Sequence, residues 1–138
     1  DILFLMTKQQ HNAEVVQMLK NYLAADGVLV TFQNGLPEMQ IAEVLGEERV
    51  LGCTVAWGAT LKEPGVCELT SEPDALSFSL GAISKNRSKH FDKVKELLEH
   101  MFPELYVLCR SAVEICFLSL SDGYNLVCRC ILHVIYSV

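Results

Sequence analysis

Val28-Leu29-Val30-Thr31-Phe32-Gln33-Asn34-Gly35 is the stretch from which the rest of the chain can be read. A β-branched apolar run stops abruptly at Asn-Gly and gives way to Leu36-Pro37-Glu38, the pattern of a buried strand delivering a polar turn to a helix start. Upstream, Ile2-Leu3-Phe4-Leu5-Met6 is a second continuous apolar run, as expected of a strand covered on both faces of a parallel sheet. Between the two, after Thr7-Lys8-Gln9-Gln10-His11-Asn12, the spacing turns helical. Val15, Val16, Leu19, Tyr22 and Leu23 fall on one stripe, with Glu14, Gln17, Lys20 and Asn21 on the other. Asn12 is the expected N-cap, and Asp26-Gly27 the expected glycine stop. Strand, helix and strand with connections this short predict a parallel βαβ unit with a right-handed crossover. Lys8 and Asn34 then share the carboxyl edge of the sheet, where ligands bind in doubly wound folds.

Downstream the pattern repeats once and then changes. Pro37 suits a first helical turn, where its missing N–H has no intrahelical partner, and Glu38 is favourable at the same positive end. The helix carries Met39, Ile41, Ala42, Val44 and Leu45 and stops at Gly46. Val50 to Trp57 reads as a third parallel strand continuing into Gly58-Ala59-Thr60. Lys62-Glu63-Pro64-Gly65 is a turn, Val66 to Thr70 a short strand, Ser71-Glu72-Pro73-Asp74 another turn, and Leu76 to Gly81 an alternating strand. The last two strands are expected to form a small antiparallel appendage at the sheet's edge. Ser88 or Asn86 opens an amphipathic helix with Phe91, Val94, Leu97, Leu98 and Met101 at core spacing, ending before Pro103.

Composition narrows the function classes. A chain of 138 residues is one domain's worth, and 51% hydrophobic with 20% charged residues excludes a disordered chain. The net charge is -6 and the eleven Lys and Arg are scattered, so nucleic acid is not an expected partner. No basic n-region precedes an apolar stretch, which points to a reduced, cytoplasmic protein rather than a secreted one. After Pro103 lie four of the six cysteines and no lysine; Arg110, Glu114, Asp122 and Arg129 interrupt its apolar runs too often for a membrane span of about 20 residues. Cys128-Arg129-Cys130 with His133 nearby lacks a second pair at zinc-ligand spacing, so no metal site is expected. His11 is read as a polar residue at a helix entrance, His90, His100 and His133 have no evident partner, and no Ser-His-Asp or Cys-His arrangement can be assembled. Cys53 is expected in the core, and Trp57 is read as packing. The opening on Asp1, directly before an apolar run and without an initiator Met, suggests a chain that starts partway through a longer one.

Asp1-Ile2-Leu3-Phe4-Leu5-Met6-Thr7-Lys8, Thr31-Phe32-Gln33-Asn34-Gly35-Leu36, Glu48-Arg49-Val50-Leu51-Gly52, Gly58-Ala59-Thr60 and Glu63-Pro64-Gly65 resemble the ketopantoate reductases (2-dehydropantoate 2-reductases) in order and spacing, over roughly Asp1 to Pro103. The resemblance implies an α/β fold: the second half, βαβαβ, of a Rossmann-type parallel sheet that binds NADP(H), with a small antiparallel appendage and a C-terminal amphipathic helix. Residues 1–103 would be that half-domain, and 104–138 an atypical, Cys-rich apolar tail rather than a recognisable substrate domain. Carried over by the resemblance, Lys8 matches a lysine ending a strand and Asn34 the asparagine of an Asn-Gly turn that also includes Gly35. Both are similar to positions that contact the cofactor, Asn34 also lying close to the 2-keto acid substrate, and Ala59 matches an alanine that touches the cofactor.

Departures bound what the resemblance implies. His11 stands where family members often have Gln or Asp, and Trp57 and Leu69 where many have His. No two of the eight glycines are separated by one residue, so the phosphate-binding GxGxxG is not in this chain. The last lysine is Lys95, so the family's catalytic lysine, which follows the region of Pro103, has no counterpart, and no catalytic residue is assigned. The expected function is that of an NADPH-dependent 2-dehydropantoate reductase lineage, serving pantothenate and coenzyme A biosynthesis, in a piece inactive alone. The alternatives are a non-catalytic truncated or frameshifted product, or an interaction module, that keeps half a Rossmann sheet.

Overall fold

The computed structural model describes residues 1–55, 57–72, 77–84, 88–101 and 105–107. Asn86, Pro103 and the Cys128-Arg129-Cys130 and His133 readings lie outside these residues. Three parallel strands open the fold: β1 (Ile2–Leu5), β2 (Val28–Thr31) and β3 (Val50–Val55), connected by α1 (Asn12–Lys20) and α2 (Pro37–Leu45). Ile2 registers with Val28 and Leu29 with Val50. After a hairpin of β4 (Ala59–Glu63) and β5 (Val66–Leu69) come β6 (Phe78–Ala82), α3 (Phe91–Met101) and β7 (Leu105–Val107). The main sheet has the order β1-β2-β3-β6-β7, with β6 antiparallel to β3 and β7 parallel to β6.

The continuous apolar runs of β2 and β3 are explained by helices on both faces, whereas β1 is an edge strand with Phe4, and Met6 just beyond it, exposed. Successive side chains of a strand point to opposite sides, and here each side has its own core. Leu29 and Val50 join Leu5, Val16, Leu23, Ile41 and Leu45 under α1 and α2. Val28, Val30, Leu51 and Cys53 face the other way, toward Phe78, Leu80 and the Phe91, Val94 and Leu98 stripe of α3. Burial pushes the Cys53 thiol up to about 12, so it behaves as an inert apolar group. Arg49 joins the entrances of two strands, donating from Nε to Gly27 O at 3.0 Å and from a terminal nitrogen to Ala24 O at 2.7 Å.

Several sequence expectations are corrected by this packing. The first helix ends at Lys20, and Gly27 instead closes a turn through its N–H to Ala24 O. Tyr22 therefore lies beyond the helical stripe and is exposed. Asn12 is the first helical residue rather than the cap, its carboxamide turned sideways toward Gln33. The third strand ends at Val55, so Ala59 begins a separate strand, β4, and the antiparallel appendage is β4 with β5. The alternating run around Phe78 belongs to the main sheet because Phe78 and Leu80 are needed under α3. Leu97 points away from that core and is exposed, whereas Ser88 behaves as expected, its Oγ accepting from His90 N–H and its carbonyl from Phe91 N–H.

Candidate functional site at the carboxyl edge

β1 and β2 end side by side, with Phe32 N–H donating to Leu5 O at 3.0 Å, and the chain leaves each strand into a polar segment. Between these segments lies a cleft of about 230 Å³ lined by Met6, Thr7, Lys8, Gln9, Gln10, Phe32, Gln33 and Asn34. Parallel pairing thus brings Lys8 and Asn34 together on opposite walls, as their strand-end positions required. The volume is below the roughly 300–1,000 Å³ of a pocket that encloses a whole drug-sized ligand, so the cleft suits one portion of a larger molecule. Lys8 is exposed, and no ion pair among the described residues engages it. It presents an uncommitted cation beside Phe32 and two glutamines.

Gly35 follows the cleft wall with φ +89°, a conformation that costs a side-chain-bearing residue roughly 1–2 kcal/mol. A Cβ there would also stand 3.0 Å from Gln9 Nε2, so the bare backbone lets Gln9 fold over the Asn-Gly turn. Gly35→Ala is expected to lower unfolding free energy by about 1–2 kcal/mol in urea titration, and an unchanged midpoint would contradict the left-handed turn. Ala59 is not brought to this cleft: it opens the exposed β4 strand. Trp57 is also outside, packed edge-to-face on Phe78 with ring centroids 6.0 Å apart. Phe78 meets Phe32 and Phe32 meets Phe4 in the same manner, at 5.9 and 5.4 Å.

Sequence reasoning passed over the group that ties the two walls. Gln33 Nε2 donates to Thr7 O at 2.6 Å and to Asn12 Oδ1 at 2.8 Å, while Asn12 Nδ2 donates back to Gln33 Oε1 at 2.9 Å. The Thr31 hydroxyl accepts from Gln33 N–H and lies 3.3 Å from Gln33 Oε1. Asn12 and Thr31 are almost fully buried. The available signal was an Asn at the helix entrance and a Gln at the strand end, two amides whose meeting depends on parallel register. Among the described residues there is no group of three or more potential metal ligands, and no helix is long and apolar enough to cross a membrane.

A mixed, mostly parallel sheet with helices on both faces and a cleft at the carboxyl edge of its parallel strands defines a Rossmann-like α/β protein. Residues 1–82 match the family described as ketopantoate reductase PanE/ApbA, and the chain belongs to that family. No curated protein matches the sequence significantly. Among solved structures, 2-dehydropantoate 2-reductase from Geobacter metallireducens GS-15 is similar with TM-score 0.69 and 17% identity, over 79% of this chain and 36% of that one. The same enzyme from Methylococcus capsulatus gives 0.62 and 20%, over 78% and 34%. A D-mandelate dehydrogenase solved with NADH gives 0.62 and 18%, over 78% and 35%. This chain spans about a third of the length of each of these structures.

Proposed function

We propose that the chain forms the nicotinamide-side half of an NADP(H) site in a 2-dehydropantoate 2-reductase, with Lys8, Asn34 and Gly35 contacting cofactor and Asn34 also the 2-keto acid. The observation that carries this reading is the convergence of Lys8 and Asn34 on one cleft at the ends of two parallel strands. The residues present fit part of the cofactor: an uncommitted ammonium for its anionic portion, a carboxamide that both donates and accepts, and an apolar wall from Met6 and Phe32. When bound, NADPH supplies the hydride that reduces the keto carbon. Lys8 would offset negative charge, Asn34 would orient the carbonyl-bearing ligand, and Phe32 would keep water from one side. The chain has no GxG spacing to cradle the pyrophosphate and no lysine after Lys95, so weak binding and near-zero turnover are expected of it alone.

NADP⁺ and NAD⁺ titrated into isotopically labelled protein test the assignment. Under this reading both dinucleotides shift the Lys8, Phe32 and Asn34 amide signals, since they share the nicotinamide portion, and Lys8→Ala weakens NADP⁺ binding about tenfold, as for one lost charge-assisted contact. Absent shifts, or shifts confined to other segments, would remove the proposal. Ketopantoate-dependent NADPH oxidation by the 138-residue chain would contradict its inactivity.

A further inference from the structure

We infer that Gln33 is a positioning residue that sets Lys8 and Asn34 at their working separation, an inference that rests on the cofactor reading above. The Gln33 carboxamide reaches three segments at once. It donates to Thr7 O at 2.6 Å and Thr7 Oγ1 at 3.3 Å on the loop after β1, and exchanges two hydrogen bonds with Asn12 at the head of α1. Its backbone N–H donates to the Thr31 hydroxyl at the end of β2. Thr7 precedes Lys8 and Gln33 precedes Asn34, so the lock grips the backbone one residue before each cleft side chain.

The donor pattern makes a glutamine necessary. Thr7 O only accepts, so the group facing it is an N–H donor, and that orientation leaves Oε1 for Asn12 Nδ2. A carboxylate in the same place would set oxygen against oxygen at Thr7, and an apolar side chain would leave the buried Asn12 amide without its partner. The exposed loop of Thr7 to His11 has no buried apolar side chain of its own to hold it. Ordering each such residue costs roughly 1–2 kcal/mol of backbone entropy, and the lock meets that cost before a ligand arrives, which is how preorganisation raises affinity.

Two substitutions in the full chain test this, read by amide hydrogen exchange without ligand and by NADP⁺ titration. Gln33→Leu is expected to speed exchange of the Thr7–Asn12 amides about tenfold, with β3 and α3 unchanged, and to weaken NADP⁺ binding about tenfold. Gln33→Glu is expected to match that defect at pH 8 and to approach wild type, measured at the same pH, as acid protonates the new carboxyl and restores a donor toward Thr7 O. A lowered urea midpoint with wild-type local exchange and wild-type NADP⁺ affinity would make Gln33 merely structural and overturn the inference. A Gln33→Glu defect independent of pH would also overturn it, including where Gln33→Leu does not fold. Should wild type bind no NADP⁺, the cofactor reading fails while the exchange comparison still decides whether Gln33 holds the cleft walls.

Discussion

Leu29→Ala is expected to destabilise the protein by about 2–5 kcal/mol, the range for truncating a fully buried leucine. Leu29 is completely buried at the middle of β2, in register with Leu3 on one side and Val50 on the other. Its side chain belongs to the core shared with Leu5, Val16, Ile41 and Leu45, so α1 and α2 both lose packing when it is shortened. Strands on either side pin the backbone, which limits how far the cavity can collapse and places the cost in the upper part of the range. Domains of this size have about 5–15 kcal/mol to lose. Urea titration should show a large fall in midpoint with little change in slope, whereas Met18→Ala, at an exposed position on α1, should stay within about 0.5 kcal/mol. Similar small losses for both substitutions would mean that the α1 and α2 face is not packed as described.

Glu38→Gln is expected to stabilise the protein at neutral pH by on the order of 1–2 kcal/mol, the scale of desolvating a polar group without full compensation. Glu38 is 7% exposed in the first turn of α2, and its Oε2 has no hydrogen-bond partner among the described residues. The carboxyl lies against β3, where a Cβ on Gly52 would stand 2.5 Å from Oε1. A helix N-terminus favours a carboxylate by about 0.3–1 kcal/mol, yet burial wins and raises the pKa, with a bond to the backbone N–H only partly opposing it. The folded protein thus favours the neutral acid more than the unfolded chain does. Its stabilising contribution is full below the unfolded carboxyl's pKa and is lost as pH rises through the higher folded value. Two other carboxylates slope the opposite way, because Lys89 lowers Asp26 and Lys93 lowers Glu96, each first through a side-chain hydrogen bond. The difference between wild type and Glu38→Gln cancels those contributions. It should grow from acid toward neutral pH, and a difference that is flat or shrinks over that range would refute the assignment.

The candidate site was legible in part. Lys8 and Asn34 follow from apolar runs that end in polar segments, because two parallel strands joined by a short crossover must end at one edge. Ala59 was carried with them, but β3 ends at Val55 and Ala59 opens a separate, exposed hairpin strand. Gln33 and Asn12 are separated by 21 positions, and nothing local makes either amide seek the other. Their pairing is a product of the register Leu5 to Thr31, which places the end of β2 beside the loop entering α1.

Taken by itself, the sequence determined that the apolar runs beginning at Ile2, Val28 and Val50 are strands and that a glycine turn follows the second, whereas burial on both faces holds for β2 and most of β3 but not for β1, which lies at the sheet's edge with Phe4 exposed. The strands and the turn are consequences of local chemistry: β-branched apolar runs, helical stripes and residues that accept unusual backbone angles. Only the tertiary structure decided where the strands after β3 pair. The Phe78–Ala82 strand joins β3 in the main sheet, and not β5, because Phe78 and Leu80 complete the core beneath Phe91, Val94 and Leu98, whereas all of β4 and β5 remains exposed. Alternation identifies a strand with one face to bury. The free energy of burial against a helix distant in sequence chooses its partner.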